Sequence, residues 1–125
     1  MSAPMMDAVS IADAVRSGKM SAEQITKDFV GRAQTANVSL NAFHELFESE
    51  ALEAARAIDA QVKAGKDPGP LAGVPVAVKD NLATKVGRTT CSSKMLQHYR
   101  SPFTATCVER LQAAGAVVIG KTNMD

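Results

Sequence analysis

Two short runs in this chain, Val74-Pro75-Val76-Ala77-Val78 and Ala116-Val117-Val118-Ile119, carry no polar side chain. A strand covered on one face alternates apolar and polar residues, whereas a strand covered on both faces does not. Both runs therefore read as buried strands. Between them Val108, Leu111 and Ala114 form a helical stripe that stops at Gly115. Thr106 and Glu109 make a capping box for that helix, with Thr104 as the other possible cap. Strand, crossover helix, strand is a βαβ unit, which places the two strands parallel in one sheet with a right-handed crossover. Pro75 lacks a ladder donor and so belongs at a strand start. Gly120-Lys121-Thr122-Asn123 reads as the turn away from the second strand.

The first half of the chain is helical. Ser10 is placed to cap a short helix over 11–17 that Gly18 ends. Ser21 and Gln24 fit a second capping box, and Ile25, Phe29, Val30 and Ala33 share one face of the helix that follows. Asn37 lies just past its expected end. Residues 42–47 fit a short, imperfectly alternating strand. A third helix is expected from about 49 to 64, with Leu52, Ala55, Ile58 and Val62 as its stripe and Gly65 as its stop. Lys66-Asp67-Pro68-Gly69-Pro70 reads as an exposed loop and the natural seam between a helical lead-in, 1–66, and the start of a sheet-bearing core, 67–125. Residues 80–103 read as irregular.

The fold class is thus α/β: helices, then the first βαβ unit of a mixed sheet flanked by helices. Two strands make a poor domain, because a sheet covered on both faces needs more strands and helices than 125 residues of this pattern supply. The expectation is the N-terminal part of a single larger domain. A small, complete, non-catalytic α/β module is the alternative.

Composition narrows the function. Lys and Arg number 14 against 13 Asp and Glu, a net charge of +1, which is not the footprint of a protein that grips nucleic acid electrostatically. No apolar run approaches the roughly 18 residues that cross a bilayer. The N-terminus has neither a basic-then-apolar signal nor an Arg-rich leader, so a cytoplasmic location is expected. Two cysteines, Cys91 and Cys107, do not make a disulfide framework.

Lys79 closes the first apolar run. Ligand crevices in open α/β sheets lie at the carboxyl ends of the strands. A lysine emerging there among apolar groups loses hydration of its charged form, its pKa falls, and the neutral amine is a usable base. The plainer reading is a lysine whose head reaches water at a strand end. Gly115 to Thr122 read G-A-V-V-I-G-K-T and satisfy the phosphate-loop pattern, but the residues between the glycines are a strand and a helix precedes them. A backbone engaged in a ladder does not offer its N–H groups to phosphate, so the match is rejected. His44, His98, Cys91 and Cys107 lack metal-ligand spacing, and no metal or cofactor ligand is assigned. Cys91 is a conceivable nucleophile with neither histidine tied to it by sequence. Ser92 and Ser93 are expected to satisfy local backbone groups.

Three blocks then point to a family. LAGVPVAVKDN at 71–81, GRTTCSSKML at 87–96 and ATCVERLQAAGAVVIGKTNMD at 105–125 resemble, in order and spacing, consecutive blocks of the amidase signature enzymes. The TTCSSKML and KTNMD wording is most similar to the A subunits of the aspartyl/glutamyl-tRNA amidotransferases. The resemblance implies an incomplete amidase-signature fold and a Ser–cis-Ser–Lys triad in which Lys79 matches the lysine. It implies that both triad serines lie in a Gly/Ser-rich segment past Asp125, because Ser92 and Ser93 fit neither. It further implies glutamine as substrate and two other subunits as partners. One of these would carry most tRNA contacts and use ATP and Mg²⁺. By itself the chain is expected to be inactive. A stand-alone amidase of the same family is the alternative.

Overall fold

The computed structural model describes residues 5–124. Helix α1 spans Ala8–Arg16. Its cap is Asp7, whose carboxylate accepts the Ser10 N–H at 2.7 Å, so Ser10 lies inside the helix instead of before it. An aspartate three residues upstream competes for the same orphan donors and wins. Helix α2 spans Ala22–Leu40, with Ser21 as its cap. Only half of the expected box forms, because Gln24 Nε2 donates to Asp28 instead of turning back. The helix also outruns Asn37 and ends at Asn41, which takes the left-handed conformation at φ 50°. Asn37 stays helical because its side chain is used elsewhere. Its amide nitrogen donates to Phe43 O at 3.1 Å and its oxygen accepts the Phe43 N–H at 2.7 Å.

That clamp starts strand β1, Phe43–Leu46, which leads into helix α3, Glu48–Lys63. In the following loop Lys66, Asp67 and Pro70 are exposed as expected, and the chain is tied down at Pro68 and just beyond the loop. Pro68 is buried, Leu71 N–H donates to Ala114 O at 2.8 Å, and Gly73 N–H donates to Gly115 O at 2.9 Å. Gly115 has φ +97°, and a Cβ there would stand 2.5 Å from Pro68 O, so only glycine allows this closure.

Strand β2 is Pro75–Lys79, helix α4 is Thr106–Ala113 and strand β3 is Val117–Thr122. Pro75 opens β2 as expected. Neither threonine caps α4: Ala105 holds the cap position without a side-chain bond, and Thr104 Oγ1 accepts the Lys85 N–H at 3.0 Å. Strand β3 does not turn away at Gly120 but continues through Lys121 and Thr122. The sheet order is β1-β3-β2, with β2 parallel and β1 antiparallel to β3.

The α/β class and the parallel β2–β3 pair are as expected, and β3 is covered on both sides. Val117 and Ile119 join a core built from α1, α2, α3 and Val74, while Val118 packs with Phe47, Val78 and Val108. The expectation for β2 needs correcting. Val78 is buried, but Ala77 and Lys79 are exposed, because β2 is the outer strand of the described sheet.

Candidate active site

The parallel strands β2 and β3 both end, and β1 begins, at one rim of the sheet. The rim places Lys79, Thr122 and Phe43 close in register, Lys79 opposite Thr122 and Phe43 opposite Thr122 on the other side. Residues 80–93 fold back over this rim without regular structure. Two buried charged side chains organise them.

Asp80 is 1% exposed and Lys121 is 0% exposed, with Lys121 Nζ 3.2 Å from Asp80 Oδ1. The ammonium has three hydrogens. It donates to Thr84 Oγ1 at 3.2 Å, Thr89 Oγ1 at 3.1 Å and Arg88 O at 3.0 Å. Asp80 Oδ1 therefore feels the charge but receives no hydrogen bond among the described residues. Asp80 Oδ2 accepts from the Thr90 N–H at 3.1 Å and from the Thr90 hydroxyl. The Asp80 backbone is tied on both sides: its N–H donates to Thr122 O at 3.1 Å, and its carbonyl accepts from Cys91 N–H at 3.2 Å.

Beyond Thr90 the chain makes a strained turn. Cys91 at φ 50° and Ser92 at φ 54° are consecutive non-glycine residues in the left-handed region. Such conformations persist where surroundings over-determine them. Here Ser92 N–H donates to Thr90 Oγ1 at 3.2 Å and Ser93 N–H to Thr90 O at 2.9 Å. The turn delivers Ser92 Oγ to 2.8 Å from His44 Nε2, while its hydroxyl donates to Asn123 Oδ1 at 3.0 Å. Asn123 is held in turn by its bond to Asn41 O at 3.2 Å. A cleft of about 200 Å³ lined by His44, Arg88, Ser92 and Lys94 opens beside this cluster. Gly87 lets the preceding loop pass close over Phe47: at φ +68°, a Cβ there would stand 2.4 Å from the Phe47 ring.

A family model described as Amidase matches residues 24–125. The chain belongs to the amidase family. A Rhodopirellula baltica protein, named as the A subunit of glutamyl-tRNA(Gln) amidotransferase, is 49% identical over 109 residues, covering 87% of this chain and 22% of that protein. Its Chlamydia abortus namesake is 48% identical over 118 residues, covering 94% of this chain and 24% of that one. Among solved structures, the peptide amidase of Stenotrophomonas maltophilia superposes with a TM-score of 0.88 at 32% identity, over 96% of this chain and 25% of its own. The chain thus spans about a quarter of the length of the curated relatives it matches.

On this amidase frame the residues singled out in the sequence separate. Lys79 stands at the carboxyl end of β2 and is exposed in the described chain, as the plainer reading of a strand-end lysine has it, without apolar groups enclosing it. The apparent phosphate loop is strand β3, and its lysine is the one sealed against Asp80, away from any phosphate. Cys91 and Cys107 are free and exposed, His98 is exposed, and His44 meets Ser92 and no cysteine. Among the described residues no three His, Cys, Asp or Glu side chains group as a metal site. Ser93 Oγ serves its own loop, accepting the Met95 N–H at 3.2 Å, whereas the Ser92 hydroxyl is bonded to side chains instead and joins β1 to the residues after β3.

Sequence reasoning placed Lys121 in a turn and gave Asp80 no role, so it missed their pairing. The signal was present. A lysine following four apolar residues of a buried strand needs a buried acid, and Asp80 is the acid that directly follows the parallel neighbour.

Proposed function

We propose that this chain is the N-terminal portion of the glutamine-hydrolysing subunit of a tRNA-dependent amidotransferase. The observation that carries the reading is the 42–49% identity, over most of the chain, to proteins named as A subunits of glutamyl-tRNA(Gln) amidotransferase. In this reading the ammonia released converts Glu-tRNA(Gln) or Asp-tRNA(Asn) to the amide form. Two further subunits complete the assembly, and ATP, Mg²⁺ and most tRNA contacts belong to one of them. The net charge of +1 is compatible with that division.

Lys79 is the base in this scheme. Its neutral amine takes a proton from the cis-peptide serine, which takes one from the nucleophilic serine as that oxygen bonds to the amide carbon. Collapse of the tetrahedral species breaks the C–N bond, ammonia leaves with a returned proton, and water then releases the acyl group. Backbone N–H groups of the Gly/Ser-rich segment stabilise the oxyanion. Neither serine is among the residues of this chain that match the family's blocks.

The test is glutamine hydrolysis by the full-length protein, purified with its co-expressed partners. Stimulation of that hydrolysis by ATP and misacylated tRNA is expected. Robust turnover of aryl or peptide amides without partners, and none with glutamine, would replace this reading with a stand-alone amidase, to which the likeness to the peptide amidase lends weight. Residues 1–125 alone are expected to turn over neither class of amide.

A further inference from the structure

We propose that the Asp80–Lys121 pair is the positioning device of Lys79: it fixes the backbone from which the amine projects. The inference rests on the reading of Lys79 as the base. Among the described residues the Lys79 side chain has no hydrogen-bond or ion-pair partner. Its aim within this chain is therefore set by its backbone, and that backbone is the last rung of β2, the outer strand of the described sheet. A strand end with one neighbour frays unless something beyond it is anchored.

The anchor is the next residue. Asp80 is bonded through its N–H to Thr122 O, through its carbonyl to Cys91 N–H and through one carboxylate oxygen to Thr90. Its other carboxylate oxygen faces Lys121, whose three hydrogens are spent on Thr84, Arg88 and Thr89. The loop after Lys79 has no regular structure of its own over residues 82–93, so these two side chains are its framework. Lys79 O accepts the Leu82 N–H at 3.0 Å, which makes the base part of the same turn.

Placement, not net stability, is the reason for the pair. Replacing a buried ion pair with neutral groups of similar size is often harmless to folding, while a misplacement of about 1 Å can cost a reaction about 100-fold. The two charges sit at the ends of neighbouring parallel strands, so they lock the relative position of the residue that bears the amine and the strand that flanks it.

The experiment compares the full-length protein with its Asp80→Asn/Lys121→Met double variant, assayed with glutamine. Thermal melting and hydrogen exchange at the Thr90, Cys91 and Ser92 amides are followed in both. The expected result is a kcat lowered about 100-fold with KM within about two-fold, an unchanged melt, and faster exchange at those three amides. A double variant that turns over at the parental rate overturns the proposal. If the double variant does not fold, Thr90→Val decides. It removes the hydroxyl bond to Asp80 and leaves both charges. A kcat lowered about 10-fold at constant KM supports the proposal, and an unchanged kcat overturns it. Lys79→Arg in the same assay separates the two ideas. An active Lys79→Arg, or an inactive parent, removes the base reading and this inference with it. A dead Lys79→Arg beside a fully active double variant removes the positioning role alone.

Discussion

Lys121 stands opposite Val78 in the parallel ladder, one rung before the pairing of Lys79 with Thr122, and the two lysines live in opposite environments. Lys121 has no exposed surface and is matched by an acid, whereas Lys79 is exposed at the strand's end. Adjacent rungs point to opposite faces of a sheet. One strand pair therefore seals one lysine beneath the loop and leaves the other at the surface of the described chain.

The exposed lysine should be dispensable to the fold. Its amine has no hydrogen-bond or ion-pair partner among the described residues, so removing it leaves no buried group of this chain unpaired. Lys79→Ala and Lys79→Arg are expected to leave the full-length protein's urea midpoint in place. Both are expected to abolish glutamine hydrolysis, the arginine variant because a guanidinium is not deprotonated at working pH. Steady-state assays and denaturant titrations on the same preparations check this, and near-normal turnover in either variant refutes the role of base.

The buried lysine should behave in the reverse way. Lys121→Met leaves the Asp80 carboxylate buried without its counter-charge, a change that costs about 3–5 kcal/mol. The loss should be recovered in large part when Asp80→Asn is added, because the charge left behind is then removed. A double-mutant cycle by urea unfolding measures the coupling. Purely additive losses would show that Asp80 and Lys121 do not act as a pair.

Glu23 should titrate far from its ordinary value. Its carboxylate lies 2.8 Å from Lys27 Nζ and 3.1 Å from the Arg56 guanidinium, and these bonds, Lys27 first, lower its pKa from 4.5 to about 2. A folded-state value below the ordinary one stabilises the fold at pH above 4.5, and that contribution is lost as pH falls toward 2. Following the Glu23 side-chain carboxyl by NMR should give a midpoint near 2 that moves toward 4.5 in Lys27→Ala and in Arg56→Ala. The surface setting makes the shift sensitive to salt. A midpoint unchanged in both variants would exclude these ion pairs as its cause.

What the sequence made legible follows the range of the interactions involved. The parallel pair β2–β3, the helix between them and the stop at Gly115 are local patterns of period and turn chemistry, and they were readable. The cap of α1 was misplaced because Asp7 and Ser10 offer the same chemistry three residues apart. The end of α2 was misplaced because Asn37 spends its amide on Phe43, a contact that local rules do not describe. At the rim of the sheet, the exposed head of Lys79 is what its place at a strand end suggested, while the role as base rests on the resemblance of its block alone. Asp80 and Lys121 are 41 residues apart in the chain and meet only through the β2–β3 register. The bond between His44 and Ser92 likewise needs β1 to pair with β3, an antiparallel neighbour that the βαβ reading did not contain.

Asp59 should prove to be a cap supplied by one helix to another. From α3 it accepts the Ala22 N–H at 2.7 Å and the Glu23 N–H at 3.1 Å, and the Ser21 hydroxyl donates to it at 2.7 Å. The local cap, Ser21 Oγ accepting from Gln24 N–H, is long at 3.4 Å. The carboxylate thus satisfies two orphan donors at the positive end of the α2 dipole and clamps α2 to α3. Asp59→Ala is expected to cost about 2 kcal/mol, at the upper end for a lost cap because two N–H groups lose their partner. Asp59→Asn should cost about half as much, since its oxygen still accepts from Ala22 and its amide turns to the serine oxygen. Urea midpoints with an unchanged slope, and faster hydrogen exchange at Ala22 and Glu23 alone, are the expected signatures. Equal stability of the alanine variant and the parent would show that solvent caps α2 as well as Asp59 does.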